Sequence, residues 1–202
     1  MVADGLSRQA AVRWLRHGGY WPLGLALFLI LLWAFGDATL GALRYERTAI
    51  GAGQLWRLVT GNLVHANFAH LLLNLSGLAV VCLLFPGAYS RQGWAFISVA
   101  SALAVGAGLW WLAPQVTWYV GLSGVLHGIL AAGALSWWRN QSRGLAALLS
   151  AVLVLKLGWE QSQGALKWSV DLTVIVDAHL FGAIGGLAAA LLVIVPGRLS
   201  AR

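Results

Sequence analysis

The feature that most restricts this sequence is a succession of long apolar runs. About 20 such residues, rising roughly 1.5 Å each as a helix, span the hydrocarbon core of a bilayer. Six segments meet or approach that length, near residues 20–40, 66–86, 94–112, 120–138, 144–160 and 174–196. Inside lipid the backbone N–H and C=O groups must be satisfied within the segment, so these runs predict helices. The fold class expected is an all-α membrane protein, a bundle of six transmembrane helices. Of the 202 residues 60% are hydrophobic and 9% charged, too few charges for the surface of a soluble domain. Arg8, Arg13 and Arg16 precede the first run, as in a signal peptide. Its apolar stretch is longer than the roughly 7–15 residues of such a core, and no cleavage site follows, so it is read as a helix. With no repeat, low-complexity tract or soluble appendage, residues 1–202 are expected to form one membrane domain.

The formal charge of +7 comes from thirteen Lys and Arg spread singly between apolar runs, without a cluster or a nucleic-acid motif. They read as topology signals and no nucleic-acid partner is expected. An even number of spans puts both termini on one side, together with Arg8, Arg13, Arg16, Arg91, Arg139, Arg143, Arg198 and Arg202. Opposite them stand Arg44, Arg47, Arg57, Lys156 and Lys167, so the excess of positive charge predicts cytoplasmic termini. Tyr20, Trp21, Trp94, Trp110, Trp111, Trp118, Tyr119, Trp137 and Trp138 fall at the expected membrane interfaces. The connection 41–65 is too apolar for a free loop and too polar to span, and is expected to lie at the outer interface against the bundle. Cys82, the one cysteine, has no partner for a disulfide and reads as a small core residue.

On this topology Ser123 falls about one turn inside the outer end of the fourth helix, between Gly121 and Gly124. Glycine permits a sharp turn and close approach, and the first helical N–H groups lack intrahelical acceptors, so oxyanion donors stand beside the hydroxyl. A nucleophilic serine also needs a base. His179 begins the last helix at a matching depth. Gly182 and Gly186, at i+3 and i+7 from it, and the pair Gly124 and Gly128 allow the two helices to approach closely. In the second helix His70 and Asn74 share a face at i and i+4. They read either as an interhelical hydrogen bond or as donors to a tetrahedral oxyanion. His65 need not share that face. Lys156 and Glu160, i and i+4 in a short fifth helix, are either a snorkelling pair or a polar lining of a substrate gate. Asp177 stands at i−2 from His179, on another side of the helix, and is not taken as its partner.

Together these pieces resemble the rhomboid intramembrane serine proteases: Trp56 and Arg57 in the first outer loop, HANFAHLLLN ending at Asn74, GLSG at 121–124, and AHLFGAIGG at 178–186. The resemblance covers about residues 20–196. It implies Ser123 as nucleophile and His179 as general base, a dyad without a carboxylate. His70 and Asn74 would join the Ser123 backbone N–H, next to Leu122, at the oxyanion hole, with Trp56, Arg57, Gly121, Gly124, Gly182 and Gly186 in support. No cofactor and no metal are implied. His127 replaces an aromatic that many rhomboids pack on the catalytic histidine; an imidazole can stack but also brings a proton. GLSGVLHG and the small size look most like the rhombosortase branch. That branch implies membrane clients with a C-terminal tail of Gly-Gly, an apolar helix and a basic end, in the lipid of a bacterial inner membrane, with the active site opening outward. The alternatives are a general rhomboid protease with other clients, an inactive client-binding relative, and a transporter or metal carrier using the five histidines. Against the last, the histidines are scattered, His17 precedes the first span, and no HExxH occurs.

Overall fold

The computed structural model of the protein describes residues 21–140, 143–165 and 174–194. Expectations resting on Arg8, Arg13, Arg16, His17, Tyr20, Lys167, Arg198 and Arg202 lie outside these residues. The elements run α1 (Trp21–Ala34), α2 (Asp37–Leu43), β1 (Tyr45–Glu46), α3 (Arg47–Gly51), α4 (Arg57–Thr60), a 3₁₀ turn (Gly61–Leu63) and α5 (Phe68–Leu84). There follow α6 (Arg91–Leu112), β2 (Trp118–Tyr119), α7 (Ser123–Asn140), α8 (Arg143–Gln163) and α9 (Val176–Ile194).

Five of the predicted helices appear close to their expected bounds; the first does not. The run 20–40 breaks at Gly36, and α1 and α2 meet at 111°. Gly36 takes φ +70° with ψ −150°, a conformation that favours glycine, and α1 ends before it. The fifth helix is longer than expected and ends at Gln163, so Lys156 and Glu160 stand inside it. Helices α6, α8 and α9 are individually long and apolar enough to cross a membrane. Counting the bent pairs α1–α2 and α4–α5 as one crossing each raises the number to five. The expected six is therefore not reached by length and composition among the described residues. Missing from that set is α7, which carries Ser123, His127 and Arg139 but packs against α5, α6, α8 and α9. A helix enclosed by other helices does not need a lipid-compatible surface all round.

The outer surface of the bundle is apolar, with Leu27, Leu83, Val154, Leu155 and Leu192 among its exposed side chains, as a lipid-facing wall requires. Inside, Leu71, Leu78, Ile97, Leu122, Val125 and Ile129 knit α5, α6 and α7 into the main core. Trp94 and Tyr119, expected at an interface, are buried, and Trp94 packs edge-on against Tyr89. Trp111, Trp118 and Trp138 are exposed.

The connection 41–65 folds against the bundle, and its arginines act as structural staples. Arg47 donates to the carbonyl oxygens of Leu109, Trp110, Ala113 and Val116 and lies over the Trp110 ring. A cation thus satisfies the free carbonyls at the negative end of α6. Arg57 is buried and donates to Gln54 Oε1 and to the carbonyls of Gly41 and Arg44, while Trp56 Nε1 donates to Ala42 O. Strands β1 and β2 then pair antiparallel, Tyr45 opposite Tyr119 and Glu46 opposite Trp118. This joins the connection to the segment that enters α7.

Candidate active site

Side-chain contacts bring the starts of α5, α7 and α9 and the last turns of α8 together at one end of the bundle. Ser123, His179, His70, Asn74 and Glu160 all come from that end.

The entry to α7 is held tightly. Gly121 N–H donates to Gly61 O at 3.0 Å, and Tyr119 Oη–H donates to Gly121 O at 2.6 Å. Burial pushes the Tyr119 hydroxyl well above the usual phenol range, so it stays a neutral donor. Gly121 has φ +116°, and a Cβ there would stand 2.5 Å from His70 Nε2. Only glycine fits both constraints. The absent side chain leaves His70 Nε2 and, slightly farther, Asn74 Nδ2 beside the backbone leading to Ser123. Asn74 also donates one Nδ2 hydrogen to His70 O at 2.9 Å, which leaves its second hydrogen for another acceptor. The first N–H groups of α7, beginning with Ser123, have no intrahelical acceptor.

Between α7 and α9 the backbones interlock. A Cβ on Gly124 would meet Ala178 O, one on Gly182 would meet Gly124 O, and one on Gly186 would meet Gly128 O. At the top of this glycine contact Ser123 Oγ lies 3.0 Å from His179 Nε2. His127 stacks on His179, ring centroids 4.1 Å apart and planes 15° from parallel, and its Nδ1 lies 2.7 Å from Ser123 O. The face of His179 is therefore covered by the His127 imidazole.

The dyad expected without a carboxylate has one. Glu160 Oε2 lies 2.9 Å from His179 Nδ1, and Glu160 Oε1 accepts from Lys156 Nζ at 2.6 Å. Glu160 is only 4% exposed, whereas its partner Lys156 is 33% exposed, so the carboxylate end of the pair points into the bundle and not to an interface. The sequence signal was a carboxylate inside an apolar helix, three residues before that helix ends at Gln163. Its pairing with His179 depends on how α8 packs against α9. Asp177 faces elsewhere, with Oδ2 3.5 Å from Gln115 Nε2.

Ser123 and His179, but not Glu160 or Lys156, line a cavity of about 340 Å³. His70, Asn74, Ser123, His127 and His179 form its polar end, and Leu73, Val80, Leu126, Leu130 and Ile175 contribute an apolar wall. Trp56 and Arg57 are not part of it; they brace the connection above. Leu122 is buried in the main core.

His127, Glu160 and His179 lie close enough to be considered as metal ligands. Their geometry is poorly suited to that. A ring nitrogen binds a metal in the plane of its ring, and two nearly parallel stacked imidazoles direct their lone pairs side by side and not to one point.

A mostly helical bundle with an apolar exterior is the architecture of a multi-pass membrane protein. Residues 52–196 match the Rhomboid domain, and the chain belongs to the rhomboid family, a family of intramembrane serine proteases. No curated protein gives a significant match to the chain.

Proposed function

We propose that this protein is an intramembrane serine endopeptidase in which Ser123 is the nucleophile and His179 the general base. The observation that carries the reading is the 3.0 Å contact between Ser123 Oγ and His179 Nε2, inside a cavity and at the start of a helix. Ser123 Oγ attacks the carbonyl carbon of the scissile peptide while its proton passes to His179 Nε2. The tetrahedral oxyanion receives the Ser123 backbone N–H, with His70 Nε2–H and Asn74 Nδ2–H as side-chain donors. His179 then returns the proton to the departing amine, the acyl-Ser123 ester forms, and water activated by the same imidazole hydrolyses it.

The clients are single-span membrane proteins, and the rhombosortase-like GLSGVLHG favours those with a C-terminal Gly-Gly, an apolar helix and a basic end. A peptide inside a regular helix hides its carbonyl in the i to i+4 bond, so the client must unwind at the depth of Ser123. Gly-Gly lowers that barrier, each Gly being about 1 kcal/mol poorer than Ala in helix propensity. A basic tail stays in the cytoplasm and fixes the client with its N-terminal domain outside. In the same orientation Arg91, Arg139 and Arg143, at the end of the bundle opposite Ser123, face the cytoplasm of a bacterial inner membrane. The cavity then opens outward and both termini lie inside.

The test is a reporter ending in Gly-Gly, about 20 apolar residues and several Arg, co-expressed with the protein. Release of the external domain, cleaved near the Gly pair and abolished by Ser123→Ala or His179→Ala, is the expected result. Equal cleavage of a Leu-Leu reporter at the same bond refutes the Gly-Gly preference while leaving a general rhomboid protease. Undiminished cleavage with Ser123→Ala refutes the mechanism.

A further inference from the structure

Three helices deliver four side chains into one line: Lys156 and Glu160 from α8, His179 from α9 and Ser123 from α7. The contacts are 2.6, 2.9 and 3.0 Å in that order. A carboxylate in the interior of an apolar bundle is costly to desolvate, and it is retained only where its oxygens are well partnered. Both oxygens of Glu160 are partnered, one by Lys156 and the other by the imidazole of His179.

Resting on the serine protease reading above, we propose that Glu160, held by Lys156, is the positioning residue of His179, so that the site works as a Ser123–His179–Glu160 triad. A carboxylate only accepts, so the hydrogen of a neutral His179 must sit on Nδ1, where it donates to Glu160 Oε2. Nε2 is then bare and accepts from Ser123 Oγ–H, the tautomer that a general base requires. When Nε2 takes the serine proton, the imidazolium forms 2.9 Å from a negative charge already in place. Lys156 fixes the carboxylate from its other oxygen and balances its charge before that proton arrives. His127 closes the open face of the ring, so His179 is held at its edge by Glu160 and on its face by a stacked imidazole. The salt bridge, spaced i and i+4 on α8, thus reaches the reaction through the base, without itself touching a client.

The experiment measures steady-state cleavage of the Gly-Gly reporter and the rate of Ser123 labelling by a fluorophosphonate, on purified full-length protein. Glu160→Gln keeps the size of the side chain but offers an amide, whose N–H₂ favours the wrong tautomer. It should lower kcat and the labelling rate by at least about 10²-fold with KM within twofold. Glu160→Asp, which keeps a carboxylate, should recover part of that loss, and Lys156→Met should lower kcat by a smaller factor. A purely structural Glu160 would instead lower thermal stability in all these variants, with no separation of Asp from Gln. Folded Glu160→Gln with kcat within threefold of wild type, or a change in KM alone, overturns the triad. If Ser123→Ala is still silent in that case, the dyad stands. If the wild type neither cleaves nor labels at Ser123, the protease reading falls and the triad with it.

Discussion

Replacing Gly182 by Ala tests whether the glycine contact between α7 and α9 sets the Ser123–His179 distance. A Cβ at residue 182 would stand 2.5 Å from Gly124 C and 3.0 Å from Gly124 Cα, and closer still to Gly124 O. All three are backbone atoms of a packed helix, so no side chain can rotate away. Raising the 2.5 Å approach to an ordinary contact of about 3.4 Å opens the helices by at least about 0.9 Å at this turn, and the closer Gly124 O asks for more. His179 is one turn away, so the same displacement takes the 3.0 Å contact with Ser123 to about 3.9 Å or more, beyond hydrogen-bond reach. A misplacement of about 1 Å at a reacting pair costs about 10²-fold in rate, and overpacking costs about 1–3 kcal/mol in stability. The assay is fluorophosphonate labelling of Gly182→Ala together with its thermal midpoint in detergent. Gly24→Ala is the control, since a Cβ there meets nothing within 4 Å. Labelling of Gly182→Ala at the wild-type rate refutes the claim that backbone contact sets the pair.

Asn74→Ala should lower kcat by roughly 10²-fold with little change in KM, as expected on losing one oxyanion donor, and a rise in KM alone would assign Asn74 to client binding. Chelation by EDTA should leave cleavage unchanged; activity lost to EDTA and restored by zinc would move the chemistry to the histidines. His65 supplies a test of pH dependence. It stands in the linker before α5, 4% exposed, with neither ring nitrogen meeting a protein partner, and its ring lies edge-on to His70. Burial first, and the neighbouring His70 second, hold it down at about 3 from the ordinary 6.5. The folded state therefore binds fewer protons than the unfolded one between those values, and stability falls as pH drops below about 6.5. Between pH 7.5 and pH 5 this group alone removes about 2 kcal/mol. His65→Phe should lose visibly less than the wild type over that interval in thermal unfolding, and an equal loss would refute the assignment.

The sequence reported what depends on chain-local pattern. Uninterrupted apolar runs with aromatic flanks placed α5 to α9 within a few residues, because helix formation in an apolar run is forced by its own backbone hydrogen bonds. The break at Gly36 was hidden by equally apolar residues on both sides of it, although Gly-Asp is a helix-ending dipeptide. The approach of Ser123 to His179 was legible in the fourfold spacing of Gly124, Gly128, Gly182 and Gly186, since small residues at that interval mark a face that packs closely. Glu160 was visible as an i, i+4 partner of Lys156, but its contact with His179 was not. That contact depends on the rotation of α8 against α9, which no local pattern encodes. Arg47 looked like a topology signal for the same reason: its acceptors are carbonyls 62 to 69 residues away.

In the proposed mechanism Ser123 is a nucleophile activated by His179. The most direct test of that activation is intact-mass and peptide mapping of the purified protein after reaction with a fluorophosphonate, alongside Ser123→Ala and His179→Ala. One adduct is expected on Ser123 in the wild type, none in Ser123→Ala, and a rate lowered by orders of magnitude in His179→Ala. An adduct that survives in Ser123→Ala, or folded wild-type protein that gives none, would contradict the mechanism.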